Sequence, residues 1–491
     1  MTLRGQRVSI YLILSILLLL VAATLRFHDL SKRSLWLDEA AVALNSQGSL
    51  RQMVDLTRHR NSSPIAFPLL LHAVQKIGTS ARSVRLPSAV FSLLAVLVML
   101  MLPRVGTNRQ AAFIAATVLT LSASQIRYAQ EVREYSLSVL LASLMIYGLL
   151  NFLNSEGRRR AFLYATLFAA PLAQYGLVLF GFSIIGTLAF DRMRRHKPFI
   201  GDAVRFGLAL TTSGLISLVL TLRFQLQISA NNYLHDFFFN GRLTEPVSMV
   251  TFLAGNTYSL FKYLMLGDVV AGMFLLSFAV YCFRFITEHR DSCELPLFLS
   301  ALTIAVLAAL VHAYPYGAIR QCLYLAPVTA LAFGNASVCV ASPLKNSMQL
   351  AWTGVVMSIV LISGLQMLKV QNPYRDIEDI NSVLACLDKL RSRDDAVYIY
   401  PGARPALQFY GISADRFVYG EHYPQVDLEA YREEIRAAMQ RGTGRLWIVL
   451  SHIMSSDVEN LIVSEMPREW HIEKLVDGTQ SSLYLAIRPE E

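Results

Sequence analysis

Charged residues are scarce in this chain, and cysteines are few. Only 16% of the 491 residues are charged, whereas 54% are hydrophobic, and the mean hydropathy is +0.43. This balance excludes an ordinary soluble globular protein, because apolar runs of membrane-spanning length recur along the chain. The five cysteines form no CxxC pair and lie mostly in or beside apolar runs, which excludes a disulfide framework and a zinc site.

Several motifs of common binding sites are also absent from the sequence. The histidines show no HExxH spacing, and the last quarter of the chain has neither the GxGxxG nor the GxxxxGK[ST] motif. We therefore predict no cofactor and no nucleic-acid partner, while a divalent cation beside Asp38 and Glu39 is left open. No internal repeat is found either, and repeats are typical of many transporters.

The apolar segments predict a polytopic α-helical membrane protein with about eleven transmembrane helices. An apolar first segment could imitate a secretory signal, but so many later spans favour an uncleaved helix. The candidate spans are residues 8–25, 86–103, 110–126, 136–153, 161–175, 176–190, 203–222, 269–285, 296–313, 320–340 and 349–367.

Charge divides the chain into two predicted domains. Residues 1–368 form the membrane domain, with a large first outer loop at 26–85, and residues 369–491 form a small soluble α/β domain. The second domain has 14 basic and 20 acidic residues, a net charge of −6, which leaves +15 for the first. Its predicted helices cover 375–390 and 428–441, and its β-rich segments cover 396–400, 446–450 and 482–487.

Basic residues also predict the orientation of the membrane domain. With a cytoplasmic N-terminus, the short cytoplasmic loops contain basic clusters such as 158–160 and 192–197, as the positive-inside rule requires. An odd number of spans then places the loop 26–85 and the C-terminal domain together on the extracytoplasmic face. The lack of a recognisable organelle signal favours a bacterial inner membrane.

The segment SLWLDEA, residues 34–40, places Asp38 and Glu39 just beyond the first span. Ionisable groups at the membrane surface are candidate functional residues, although solvated acids on a surface helix are the alternative. Residues 40–55 and 64–77 are predicted to form two amphipathic helices here. The surrounding loop has more basic residues than the positive-inside rule predicts for an outer loop, which favours an anionic substrate. The alternative is that the loop is too large for this rule to apply.

Two more polar segments lie at the same predicted membrane face. YPYGAIRQCLYLAP, residues 314–327, places Arg320 at the start of the tenth span, where an interfacial anchor is the alternative to a site residue. QIRYAQEVREYS, residues 125–136, is a short turn between the third and fourth spans, and structural pairing and substrate contact are equal alternatives for it. Four of its polar side chains are expected to share one helix face: Arg127, Gln130, Glu131 and Glu134.

Together with RLPSAVFSLLAV at 85–96, these motifs resemble, in the same order, those of the glycosyltransferase-C superfamily of membrane enzymes. The most similar types are families 39 and 83, which include protein O-mannosyltransferases and lipid A aminoarabinose transferases. The resemblance covers the membrane domain. It implies an inverting transferase that moves a hexosyl or pentosyl group from a polyprenyl-phosphate donor to a lipid, glycan or protein acceptor. The enzyme would contact membrane lipids, and the transfer would take place on the extracytoplasmic side.

The resemblance also implies roles for the polar residues. Asp38 matches the catalytic acid of the first outer loop, and an acceptor hydroxyl needs such a carboxylate to take its proton. Glu39 is predicted to support Asp38 in the catalytic pair. The leaving phosphate needs cations, and those predicted to bind it are Arg320, Arg133, Arg58, His59 and Arg60. The predicted substrate-binding residues are Gln130, Glu131, Tyr128 and Tyr135.

Two departures limit the resemblance. The aminoarabinose transferases have a lysine before the proline of the first loop, whereas Ser63 precedes Pro64 here, so an aminoarabinose substrate is not implied. Gln174 stands where many relatives have a histidine. Two other functions stay open: a transporter or flippase of polyprenyl-linked glycans, and a glycan ligase or polymerase with a diphosphate-linked donor.

Overall fold

The structure is a computed structural model that describes residues 3–49, 53, 64–155, 159–230, 246–288, 292–412, 417–424, 426–441, 444–453 and 455–489. Up to residue 371 it is helical. The helices there are Leu3–Phe27, Leu37–Asn45, Ala66–Gln75, Ala81–Met101, Arg109–Leu121, Ala123–Ala129, Tyr135–Asn154, Arg160–Ala173, Gly176–Arg194, Ile200–Ala230, Pro246–Leu264, Asp268–Thr287, Glu294–Leu310, Ala326–Ala341 and Asn346–Gln371. Two short 3₁₀ helices cover Leu102–Val105 and Arg320–Leu325.

Eight helices among the described residues are long and apolar enough to cross a membrane. The predicted count of eleven is not confirmed, because the predicted spans 110–126, 161–175 and 296–313 correspond to helices of 13, 14 and 17 residues. The chain is a multi-pass α-helical membrane protein. The eight candidate spans are Ile10–Phe27, Ala81–Val105, Tyr135–Asn154, Gly176–Arg194, Ile200–Leu220, Asp268–Thr287, Arg320–Ala341 and Asn346–Gln371.

The C-terminal domain is an α/β structure built on a five-stranded mixed sheet with the order β2-β1-β3-β5-β4. The strands are β1 (Ala396–Ile399), β2 (Phe417–Tyr419), β3 (Arg445–Ser451), β4 (His471–Gly478) and β5 (Ser481–Ile487). β1 pairs in parallel with β2 and β3, whereas β5 pairs antiparallel with β3 and β4. The helices of this domain are Ile380–Leu390, Arg404–Phe409, Leu428–Arg441 and Ser456–Glu465.

The predicted helices and strands of this domain are present, although the helix predicted at 375–390 begins only at Ile380. Four further elements were not predicted. β2 is apolar but has only three residues, which is shorter than the runs that predict a strand. β4 has no buried residue, so its sequence lacks the clear apolar pattern of a buried strand. The other two are the helices Arg404–Phe409 and Ser456–Glu465.

The two faces of the sheet pack against different partners, because successive strand residues point to opposite sides. On one face, Tyr398 and Ile448 pack with residues of the helices Leu428–Arg441 and Ser456–Glu465. On the other face, Val397 and Trp447 belong to a hydrophobic cluster that includes Leu35, Ala40 and Val132. The sheet therefore shares a hydrophobic core with the loop that follows the first helix and with the turn after the helix Ala123–Ala129.

Candidate active site

The structure brings Asp38 together with two arginines that are distant from it in the sequence. Oδ2 of Asp38 lies 2.8 Å from Nη2 of Arg320 and 3.4 Å from Nη1 of Arg133. The side chains of Asp38 and Arg320 are 26% and 28% exposed, whereas that of Arg133 is 7% exposed. Three residues predicted to act at one site therefore meet, with the carboxylate between two guanidinium groups in a partly open position.

Burial opposes the ionisation of Asp38, but the positive charges of Arg133 and Arg320 outweigh it and hold the pKa of this carboxyl below its ordinary value. Asp38 is therefore negatively charged at neutral pH. An ionised carboxylate can accept the proton of a hydroxyl group, and two adjacent guanidinium groups can bind a phosphate.

Asp38 lies in the first turn of the helix Leu37–Asn45. The N-terminal turn of a helix has unpaired N–H groups and a partial positive charge, which favour acidic residues. The C-terminal domain supplies partners for the backbone just before Asp38: Glu378 Oε2 accepts from the Leu37 N–H at 3.1 Å, and the Tyr410 hydroxyl accepts from the Leu35 N–H at 3.0 Å. That domain thus holds the segment that carries Asp38.

Aromatic rings surround Arg320. Its guanidinium carbon lies 5.3 Å from the centroid of the Trp36 ring and 5.8 Å from that of Tyr135, which is within cation–π range. Arg133 also lies over the Tyr135 ring, at 5.5 Å. Tyr128 packs edge-on against Tyr135 with centroids 5.2 Å apart. Tyr135, one of the tyrosines predicted to bind substrate, therefore contacts both Arg320 and Arg133, and Tyr128 packs behind it.

Gln174 braces the backbone that leads into Arg320. Its Nε2 donates to the Tyr314 hydroxyl at 3.1 Å and to the Gln321 carbonyl oxygen at 3.0 Å. The amide that replaces the histidine of many relatives is therefore used by contacts within the chain.

Glu39 is held by structural partners on both carboxylate oxygens. Arg85 donates to them at 2.9 and 2.6 Å, and the Val132 N–H donates to Oε1 at 2.9 Å. The side chains of Glu39 and Arg85 are each 1% exposed, and Arg85 also donates to the carbonyl oxygens of Leu30 and Ser34. These contacts favour a positioning role for Glu39 within the predicted catalytic pair. Sequence reasoning did not identify Arg85 as its partner.

The helix face expected at residues 127–134 is only partly formed, because the helix Ala123–Ala129 ends before Gln130. Arg127 Nε does donate to Glu131 Oε1 at 3.0 Å, and burial raises the pKa of the Glu131 carboxyl. Gln130 points elsewhere and donates to the carbonyl oxygens at the end of the first helix, at 3.3 Å to Arg26 and 2.8 Å to His28. Those hydrogen bonds are contacts within the chain, so they agree with structural pairing, which was one of the two alternatives for residues 125–136.

Three predicted phosphate-binding residues, Arg58, His59 and Arg60, lie outside the described residues, as does Ser63. The two predicted surface helices are present but are shorter than expected. They cover Leu37–Asn45 and Ala66–Gln75, instead of 40–55 and 64–77.

Sequence reasoning missed the contribution of the C-terminal domain to this site. Nδ1 of His452 lies 2.7 Å from Oε1 of Glu378, whose side chain is fully buried. Glu378 also accepts from the N–H of Leu37, the residue before Asp38, at 3.1 Å, so it connects His452 to the segment that carries Asp38. Neither His452 nor Glu378 belongs to a recognisable motif, so only the packing of the C-terminal domain against the loop after the first helix could reveal them.

Comparisons with known proteins agree with this architecture. Residues 62–216 match the family model described as dolichyl-phosphate-mannose-protein mannosyltransferase. No curated protein matches the chain in sequence.

Three solved structures are similar over most of the chain. ArnT from Cupriavidus metallidurans bound to undecaprenyl phosphate shares 14% identity, with a TM-score of 0.51 over 96% of this chain and 97% of that one. The Archaeoglobus fulgidus oligosaccharyltransferase in the apo form shares 11%, with a TM-score of 0.54 over 89% and 69%. AglB of that organism, in complex with an inhibitory peptide and a dolichol-phosphate, shares 12%, with a TM-score of 0.52 over 89% and 69%. The chain therefore has the fold of the glycosyltransferase-C superfamily, and the predicted resemblance to that superfamily is confirmed.

Proposed function

We propose that this protein is an inverting glycosyltransferase that moves a hexosyl or pentosyl group from a polyprenyl-phosphate donor to a lipid, glycan or protein acceptor. The observation that carries this proposal is the contact of Asp38 with Arg320 and Arg133. A carboxylate and two cations within one partly open site are the groups that such a transfer requires. The similar structures of ArnT with undecaprenyl phosphate and AglB with dolichol-phosphate support a polyprenyl-phosphate donor.

In the proposed reaction, Asp38 accepts the proton of the acceptor hydroxyl while the hydroxyl oxygen attacks the anomeric carbon. The new glycosidic bond forms on the face opposite the phosphate, so the configuration inverts. The electrons of the broken carbon–oxygen bond leave with the polyprenyl phosphate, and Arg320 and Arg133 stabilise the charge that develops there.

The same arginines lower the pKa of Asp38, which has a consequence for the order of events. A donor phosphate would compete with Asp38 for Arg320 and Arg133, so its binding would relieve their effect on the carboxyl. The pKa of Asp38 would then rise, and the carboxylate would become a stronger base when the donor is bound.

The site is proposed to face the extracytoplasmic side of a bacterial inner membrane. This orientation rests on the basic residues of the short cytoplasmic loops. Reporter fusions to the C-terminus test it: alkaline phosphatase should be active there and green fluorescent protein dark, and the reverse pattern would contradict the orientation.

Transfer can be tested with the purified protein in lipid nanodiscs, supplied with polyprenyl phosphates that carry single hexoses or pentoses. Envelope lipids, glycans and peptides serve as acceptors, and mass spectrometry identifies the product. We expect transfer by the wild type and a loss of about 10²–10⁴-fold in the Asp38→Asn variant. Asp268, which pairs with Lys262 at 2.9 Å, provides a matched control as Asp268→Asn.

The alternatives predict different outcomes in the same assay. A ligase or polymerase would use only polyprenyl-diphosphate donors, whereas a flippase would move the lipid-linked glycan across a vesicle membrane without forming a product. Either result, or full turnover by Asp38→Asn, would contradict the proposed function.

A further inference from the structure

One buried carboxylate links the end of strand β3 to the segment that carries Asp38. β3 ends at Ser451, whose hydroxyl donates to Glu378 Oε2 at 3.1 Å, and the ring of the next residue, His452, bonds Glu378 Oε1 at 2.7 Å. Glu378 Oε2 also accepts from the N–H of Leu37 at 3.1 Å. The carboxyl ends of parallel strands are where α/β sheets form their sites, and here that edge lies beside Asp38.

The backbone around His452 is held in an unusual conformation. His452 has a φ of 62°, in the left-handed region that residues other than glycine rarely adopt. After strand β1, Gly402 approaches this segment so closely that a Cβ there would lie 2.5 Å from the Ser451 carbonyl oxygen and 2.8 Å from the Cβ of His452. Strained residues that their surroundings hold in place occur frequently at functional sites.

The bond to Glu378 also determines which nitrogen of His452 can take up a proton. A carboxylate accepts hydrogen bonds, so Nδ1 carries the hydrogen and Nε2, on the opposite side of the ring, is the basic nitrogen. The charged groups that act on His452 are Glu378, Asp38 and Arg320. Burial opposes the protonation of His452, but its bond to Glu378 and the charge of Asp38 outweigh burial and raise its pKa above the ordinary value.

We propose that His452, oriented by Glu378, carries away the proton that Asp38 takes from the acceptor hydroxyl. This inference rests on the proposed transferase function. Asp38 must lose its proton before it can act again. Glu378 bonds both the ring of His452 and the N–H of Leu37, the residue before Asp38, so the imidazole lies beside the segment that carries this carboxyl. The proton passes from the Asp38 carboxyl to Nε2 of His452, whose side chain is 20% exposed, and from there to water. This step is a proton transfer, so no group changes its oxidation state.

The proposal can be tested by the pH dependence of sugar transfer from a polyprenyl-phosphate donor. In the wild type, kcat should fall as the pH decreases through the pKa of His452, because a protonated imidazole cannot accept another proton. His452→Gln should lower kcat by about tenfold or more, remove this pH dependence and leave the KM for the donor unchanged. Added imidazole should restore part of kcat.

Glu378→Gln tests the same proposal when His452→Gln does not fold. Without the negative charge that raises its pKa, His452 should be protonated only at lower pH, so the fall in kcat should move to lower pH. The matched control is His422→Gln: His422 bonds Glu434 at 2.6 Å in the same domain, and its replacement should leave kcat and its pH dependence unchanged.

Two results would overturn this role of His452. One is a His452→Gln variant with the kcat and pH profile of the wild type. The other is a lower kcat with an unchanged pH profile and no imidazole rescue, which would indicate a structural role only. A wild-type protein without transferase activity would instead refute the proposed function, on which this inference depends.

Discussion

Asp38 Oδ2 and Arg320 Nη2 lie 2.8 Å apart, so the predicted base and the first predicted phosphate-binding residue are each other's partner. The interfacial position that could have made Arg320 a simple membrane anchor instead places it over Trp36 and against Asp38. A donor phosphate and the Asp38 carboxylate would compete for one guanidinium group. Binding of the donor and activation of the base are therefore coupled in the proposed reaction.

Removal of Arg320 should raise the pKa of Asp38. In the Arg320→Gln variant, a positive charge and a hydrogen bond that lower this pKa are lost, while the burial that raises it is retained. Asp38 should therefore take up its proton at a higher pH than in the wild type. The carboxyl C=O infrared band, assigned by its loss in Asp38→Asn, reports this titration.

The control for this measurement is Arg284→Gln, which removes an arginine paired with Glu288 in another part of the chain. It should leave the titration of Asp38 unchanged. Arg320→Gln should also weaken donor binding. If the titration and donor affinity were both those of the wild type, Arg320 would be an interfacial anchor only.

Disruption of the Glu39–Arg85 pair should affect stability more than chemistry. Arg85→Met leaves a buried carboxylate without its cation, which typically costs about 3–5 kcal/mol of unfolding free energy. Thermal unfolding in detergent measures this loss. The double variant Glu39→Met, Arg85→Met should be more stable than Arg85→Met, because no unpaired charge stays buried.

Asp38→Asn and Glu39→Gln should separate the two acids. Asp38→Asn should abolish turnover with little change in Tm. Glu39→Gln should lower the Tm and reduce kcat by a smaller factor. A Glu39→Gln variant with the Tm of the wild type and a loss of kcat as large as that of Asp38→Asn would make Glu39 a participant in the chemistry.

Replacement of Gln130 should loosen the end of the first helix. Gln130→Ala leaves the carbonyl oxygens of Arg26 and His28 without this donor, and the expected loss is about 1–3 kcal/mol of unfolding free energy. The KM for the donor should not change. Gln47→Ala, at an exposed turn position, is the control. An increased KM with unchanged stability would support the predicted substrate contact instead.

Removal of the Tyr410 hydroxyl should loosen the segment that carries Asp38. Tyr410→Phe leaves the Leu35 N–H without its acceptor, which typically costs about 1–3 kcal/mol. Hydrogen exchange of a peptide that covers residues 34–40 should become faster, and kcat should fall severalfold. Tyr419→Phe, on the edge strand β2, is the control. Unchanged exchange in Tyr410→Phe would contradict this role of the C-terminal domain.

Hydropathy predicted the helical membrane fold, because a helix that crosses lipid needs a long apolar run and few charges. The number of spans was less predictable. The run at 110–126 was predicted as one helix, but the chain there forms the helices Arg109–Leu121 and Ala123–Ala129. Ser122 between them has an extended backbone, a local conformation that average hydropathy does not detect.

Local patterns in the sequence were enough to predict the apolar helices and the fold class, and its motifs directed attention to Asp38, Arg133 and Arg320. The folded structure was needed to show that these three residues meet, that Arg85 pairs with Glu39, and that Glu378 bonds both His452 and the residue before Asp38. This difference arises because hydropathy and helical periodicity are local properties of the chain. Contacts between residues hundreds of positions apart depend on how the helices and the C-terminal sheet pack, and such contacts leave no repeating pattern in the sequence.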